Sequence, residues 1–385
     1  MTHPRSLTQP VSRLPSLAVL HDFPEENWPS MDLAGEMLLA ELQNDLCDFV
    51  RAERVVPRYR RLLSGNADRF INRFIHYPRH ARRIRAHHDL FHIVDHSYAH
   101  LVHQLPGERT GVYCHDLDAF RCLFEPDADP RPQWFRAMSR RILRGMQKAA
   151  IVFHTTMTVR EQIMRHGLVD ARRLVHAPLG AAREFVPRPA SAELPRDIAA
   201  KLGGRAFVLH VGSCIPRKRI DVLVGAFARV AAEHRELMLV QVGGVWTNAQ
   251  RRLIDQLHVV DRALQFRGLT RGELAELYRT AKCVLLTSDA EGFGLPVVEA
   301  LACGAPVIAS DIPAVREVAG DAVVFAAPGA CDAFASRLSE VLRQPRHETD
   351  FALRLAQAAR FSWGEHARMI WEGYESLLGA PTAQP

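Results

Sequence analysis

The sequence predicts an α/β fold of two doubly wound domains facing each other across a cleft. Three observations carry this. Short apolar runs of strand length alternate with helix-period segments through both halves of the chain. At 385 residues the chain is too long for one core. Three prolines within 187–195 mark a stiff linker near the middle. The division that follows is 1–186 for a first domain, 187–360 for a second, and 361–385 for a closing helix and tail.

In the first half, 17–21 is an apolar run that suits the first strand. The loop 22–30 follows, with Trp28 exposed, and 31–49 has helical spacing at Met31, Ala34, Leu38, Leu42 and Leu46. The segment 69–85, RFINRFIHYPRHARRIR, opens on Arg69 and closes on Arg85, with six arginines and no acid. Phe70, Ile71 and Phe74 sit at helical spacing before Pro78 interrupts. Two readings stand side by side: a basic helix lying on an anionic membrane surface, and a solvated helix covering the sheet. Residues 90–96 read as a strand and 98–104 as a helix. His87, His88, His92, His96, His100 and His103 crowd this region, but the strand-like Phe91, Ile93 and Val94 keep them off one face, so no metal site is expected. The strand 111–114 ends in His115-Asp116-Leu117. A basic helix at 136–148, a strand at 150–153 and the run 174–180 complete the half.

The second half opens with the strand 207–211, then the loop Gly212-Ser213-Cys214-Ile215-Pro216-Arg217-Lys218 and an amphipathic helix, 220–232. Two cations in a strand-to-helix loop suit a diphosphate: Arg forks onto two oxygens and Lys supplies a point charge. The strand 237–242 ends in Gly243-Gly244, and QFRGL at 265–269, ending in Gly268 and Leu269, leads into the helix 271–281. The strand 283–287 precedes SDAEGFGLPVVEALACG at 288–304. Pro296 suits the first turn of a helix and Gly304 the residue past its end. Gly292 and Gly294 let the backbone approach a ligand, and the amides of Phe293, Gly294 and Leu295 would face an anion, most naturally a phosphate. Glu291 precedes the turn, and Glu299 lies one turn into the helix. Two carboxylates beside a phosphate-binding helix end call for hydroxyls, which a sugar and a ribose supply. Residues 307–309 are the next strand.

Glu291 and Glu299 within EGFGLPVVEA resemble the signature of the family 4 retaining glycosyltransferases of GT-B fold, in which two Rossmann-like domains face across a cleft. The resemblance covers nearly the whole chain and is strongest over 208–325. It implies transfer of a hexosyl group from a GDP- or UDP-linked sugar to an acceptor hydroxyl, in bacterial polysaccharide or glycolipid assembly. It places Glu291 on the sugar hydroxyls, Glu299 on the ribose, Arg217 and Lys218 on the diphosphate, Gly268 and Leu269 near the base, and His115 close to the donor sugar. Gly212 and Gly243 then border the nucleotide. Two departures appear. Many members have Arg where this chain has Ser213, and a glycine-rich loop where it has EENWPSMD. The segment 361–378 resembles the family's closing helix, which crosses back onto the first domain. With no Asp-x-Asp suited to a metal-bridged nucleotide, the resemblance implies that the two cations replace a divalent metal, and no cofactor is expected.

Composition excludes other classes. Hydrophobic content of 48% and charged content of 24% are ordinary for a soluble globular chain, and no apolar run approaches bilayer length. Seven scattered cysteines without C-x-x-C point to reduced thiols in the cytoplasm, and the N-terminus does not read as a signal peptide. A net charge of +6 favours anionic partners. A glycosidase would not need a phosphate cradle, and a nucleic-acid binder would need interleaved stacking aromatics. A sugar-nucleotide epimerase and a non-catalytic nucleotide-sugar subunit share the fold and remain as alternatives. The expected partners are a nucleotide-sugar donor, a glycan or lipid-linked sugar acceptor and, through 69–85, an anionic membrane at its inner face.

Overall fold

The computed structural model describes residues 13–63, 65–187, 194–343 and 347–379. Most of the linker read at 187–195, and the N-terminal residues 1–12, lie outside them. Packing divides the chain into two units. One is Met1–His154 with Ile163–Ala177 and Ala367–Pro385; the other is Thr155–Gln162 with Pro178–His366.

Each unit is built on a parallel six-stranded sheet with helices between the strands, the α/β class the sequence predicts. In the first unit the strands are β1 (Ser16–Leu20), β2 (Arg51–Val55), β3 (Leu90–Ile93), β4 (Thr110–Cys114), β5 (Ile151–His154) and β6 (Leu174–His176), ordered β2-β1-β3-β4-β5-β6. In the second they are β7 (Phe207–Gly212), β8 (Met238–Gly243), β9 (Ala263–Phe266), β10 (Cys283–Leu286), β11 (Val307–Ser310) and β12 (Val324–Ala326), ordered β12-β11-β10-β7-β8-β9. Every residue of β1, β3, β4, β5, β10 and β11 is buried, as parallel strands covered on both faces must be.

The second core gathers Leu223, Phe227 and Val230 of the helix Ile220–Glu233 with Leu239, Cys283 and Phe334. Truncating Phe227 to Ala would cost about 3–5 kcal/mol, because the cavity could close only in part. In the first unit, Tyr374 of the helix Trp363–Leu378 donates to Phe91 O at 2.9 Å, lies 3.0 Å from His92 Nδ1 and packs over Gly111.

Local differences from the sequence reading have physical causes. The helix expected over 31–49 runs Pro29–Asn44, with Pro29 in its first turn. The element after β3 is a 3-10 helix, His96–Gln104, started by Asp95, whose carboxylate accepts from Ser97 N at 3.0 Å. Pro78 does not break the basic segment. Gly65–Ile71 is α-helical, Asn72–His76 makes a π turn, and Tyr77–Ile84 resumes the α-helix with Pro78 in its first turn, where no N–H is required. The crowded histidines face different partners: His100 Nε2 meets Arg73 O, His103 Nε2 meets Arg141 O and His92 meets Tyr374. No group of three metal-ligating side chains occurs among the described residues.

Candidate active site

In the second unit the chain runs β7, β8, β9 outward and returns to the other side of β7 as β10. The switch point therefore lies between β7 and β10, where an open parallel sheet leaves a crevice at its carboxyl edge. The two loops read from the sequence emerge there and bond to each other. Asp289 N donates to Arg217 O at 2.8 Å, and Thr287 Oγ1 to Lys218 O at 2.9 Å.

Register explains the glycines. β7 and β8 pair so that Gly212 lies opposite Gly243, whose φ of +105° a Cβ would strain. Below them Gln241 donates to Gly212 O at 2.7 Å and accepts from Gln265 at 2.5 Å. Arg219 closes the loop after β7 in a left-handed conformation (φ 49°) and is held by Asp221 and Asp289. Such strain outside glycine persists only where the surroundings enforce it.

Arg217, Lys218 and Glu291 are brought together. Lys218 Nζ lies 2.6 Å from Glu291 Oε1, Ser288 Oγ donates to the same oxygen at 2.6 Å, and Arg217 donates to Oε2 at 3.3 Å and to Ala290 O at 2.8 Å. Burial alone would raise the Glu291 carboxyl. Lys218 first, then Arg217, outweigh it and hold the group ionised below the usual range. The three bonds use about three of the four acceptor sites of a carboxylate, which leaves one.

Past Glu291 the turn is clamped by Thr155 and Thr156, whose hydroxyls donate to Gly292 O at 2.9 and 3.0 Å. Gly294, at φ +95°, starts the helix Leu295–Ala302. The amides of Phe293, Gly294 and Leu295 have no acceptor among the described residues. Ser213 lies in the loop after β7, and Leu269 follows Gly268 (φ +65°) after β9, on the same sheet edge. Glu299 is apart from the ion cluster. It is buried in the helix, accepts from Tyr278 Oη at 2.9 Å, and burial raises it to about 7.

His115 follows β4 in the first unit. Its ring Nε2 lies 2.9 Å from Val94 O, and burial lowers its pKa although Asp95 opposes this. The structure adds neighbours that the sequence reading passed over. The switch point of this sheet lies between β1 and β3, where Asp22 and Asp95 are buried. Asp22 faces Asp95; burial, then the charge of Asp95, raise its pKa well above normal. A signal was present: three strands end in a His-Asp or Asp-His pair, at 21–22, 95–96 and 115–116. In the second unit His210, fully buried on β7, was also missed. Burial, then Lys218, lower it to about 3, and neither ring nitrogen has a partner among the described residues.

Two parallel six-stranded α/β units define the GT-B fold, and the second carries the cation–glutamate cluster at its switch point. Residues 193–360 match the family model "Glycosyl transferases group 1", in line with the family that the motif resembles. The chain is 28% identical over 309 residues to the O-antigen chain mannosyltransferase B of Escherichia coli, covering 79% of each. It is 26% identical over 277 residues to the serotype-specific mannosyltransferase WbdA of Escherichia coli, covering 70% of this chain and 34% of that one. Among solved structures, sucrose-phosphate synthase from Thermosynechococcus elongatus superposes with a TM-score of 0.76 at 19% identity, covering 96% of this chain and 100% of that one. Anabaena Alr3699/HepE, in complex with UDP and glucose, gives 0.71 at 15%, covering 94% and 100%. At these identities the structures speak for the fold.

Proposed function

We propose that this glycosyltransferase moves a hexosyl group from a GDP- or UDP-linked sugar to an acceptor hydroxyl, with retention at the anomeric carbon and without a divalent metal. The observation that carries it is the pairing of Arg217 and Lys218 with Glu291 beside the three unpartnered amides at 293–295. Donor cleavage leaves negative charge on a diphosphate and positive charge on the sugar. Fixed cations and amides stabilise the first before the reaction starts, at no reorganisation cost. The remaining acceptor site of Glu291 takes a sugar hydroxyl, and Glu299 takes the ribose. Gly212, Ser213 and Gly243 border the nucleotide, Leu269 the base, and His115 the sugar from the first, acceptor-side unit. The departing phosphate, on the same face as the incoming hydroxyl, receives its proton.

The mannosyltransferase relatives support a mannosyl or related hexosyl donor and a role in bacterial polysaccharide or glycolipid assembly. They disfavour the epimerase reading. No helix among the described residues is long and apolar enough to cross a membrane. A cytoplasmic enzyme at the inner membrane face suits a lipid-linked acceptor. A panel of GDP- and UDP-sugars, read by thermal stabilisation and turnover in EDTA, tests the proposal. A donor at a hundred times its Kd adds about 2.7 kcal/mol. No stabilisation by any member sinks the reading, and activity lost in EDTA but restored by Mn²⁺ sinks its metal-free form.

A further inference from the structure

Beyond the carboxyl end of β2 lies a cavity of about 920 Å³, formed within the first unit by the segment 56–62 and the helix Tyr77–Ile84. Arg58, Arg60 and Arg61 line it from the segment; Arg79 and Arg83 line it from the helix. Among the described residues no Asp or Glu lines it. None of the five guanidinium groups makes an ion pair or side-chain hydrogen bond among the described residues. Two nearby carboxylates are engaged elsewhere: Glu26 pairs with Arg73 at 3.2 Å, and Asp68 accepts from Leu62 N and Leu63 N at 2.9 and 2.8 Å.

The cavity is built, not a chance meeting of surface side chains. Buried Asn72 holds the segment against the helices, accepting from Arg60 N at 2.9 Å and donating to Arg60 O at 2.7 Å, while buried Asp68 fixes its far end. His76, Arg79, His80 and Arg83 fall on one helical face by their spacing of three and four. Burial lowers both histidines, and the neighbouring arginines lower them further: Arg60 and Arg79 at His76, Arg83 at His80. Five like charges held together repel one another unless an anion joins them, and planar guanidinium forks match phosphate oxygens.

We infer that this cavity binds a phosphate or diphosphate ester carried by the acceptor, a second anion site separate from the Arg217–Lys218 loop. It rests on the transfer reading above. Placement supports it. The sheet is parallel, so the cavity beyond β2 and His115 beyond β4 share one edge, three strands apart, or on the order of 14 Å. An acceptor anchored there by its phosphate would extend along the edge on which His115 lies. Leu62, which lines the cavity, and Leu63 are exposed to 58% and 69%. Such apolar side chains beside the cations suit an ester attached to a lipid.

The test uses the full chain carrying Arg217→Ala and Lys218→Ala, so that the donor loop cannot take the probe. Inorganic pyrophosphate titrated by calorimetry should bind in one salt-sensitive step. Adding Arg79→Ala with Arg83→Ala, or separately Arg58→Gln with Arg61→Gln, should weaken it at least about tenfold, the loss of one charge-assisted bond. These side chains are exposed, so the melting temperature should hold. Phosphatidylcholine vesicles with and without phosphatidic acid are the second arm. Retention only by phosphatidic acid vesicles, lost with the same arginines, identifies a lipid-borne phosphate. Pyrophosphate binding without vesicle binding identifies a soluble ester. Binding of neither probe, or binding indifferent to these arginines, overturns the inference. The nucleotide-sugar panel on the unaltered chain judges the transfer reading separately.

Discussion

Replacing Glu299 by Gln should change how the protein's stability depends on pH. The Glu299 carboxyl is buried, and burial raises it from 4.5 to about 7 against the opposing pull of the Tyr278 hydroxyl. A group raised in this way keeps its proton in the folded chain at pH values where the unfolded chain has lost it. Its contribution is therefore fully present below about 4.5 and is lost as pH rises through about 7. At 1.36 kcal/mol for each tenfold, the rise corresponds to roughly 3 kcal/mol. Gln cannot ionise, so the variant lacks this loss, whatever fixed cost its amide carries at the site. The melting-temperature difference, variant minus parent, should move in the variant's favour by about 6–12 °C between about pH 5 and about pH 8.5, at 2–4 °C per kcal/mol. Differential scanning fluorimetry across that range reads it. A difference flat in pH would refute the raised carboxyl. Nucleotide binding gives a second reading. In the proposed ribose contact the ionised carboxylate accepts from both hydroxyls, so nucleoside diphosphate binding near pH 7 should release a proton, seen by calorimetry in buffers of different ionisation enthalpy. Glu299→Gln should abolish that release and weaken binding by about 1.5–3 kcal/mol.

Two further predictions follow from the ion cluster and the first unit. Lys218→Met should destabilise the chain by about 3 kcal/mol, because it leaves the buried Glu291 with less compensation, and Glu291→Gln in the same chain should recover most of the loss; equal damage in single and double variants in urea unfolding would mean the pair does not couple. His115→Ala should leave nucleoside diphosphate affinity unchanged and lower kcat by roughly tenfold or more, since its contact is assigned to the sugar as the bond breaks. Full turnover in this variant would remove His115 from the site.

The sequence carried the α/β class because parallel strands buried on both faces must be continuous apolar runs, and Val19, Val152 and Leu285 all lie in such runs. It carried the candidate site because chain punctuation is local: Gly294 must take φ +95°, and Pro296 belongs in a first turn. Local rules also misled. Pro78 reads as a helix breaker until the π turn before it places the ring where no N–H is needed.

What the sequence determined by itself were the residues fixed by their neighbours in the chain: strand-end glycines, the Arg217–Lys218 loop and the Glu291–Glu299 spacing. Only the tertiary structure decided how these charges are shared. The ion cluster joins positions 73 and 74 residues apart, and the distance between Lys218 and Glu291 depends on β10 returning beside β7. The raised Glu299 and Asp22 carboxyls and the lowered His210 come first from burial, which depends on what packs around a side chain and not on its neighbours in sequence. The arginine cavity arises in the same way. Asn72 and Asp68 bring the segment 56–62 against the helix Tyr77–Ile84, so Arg79 and Arg83 of the basic stretch read at 69–85 share one cavity with Arg58, Arg60 and Arg61.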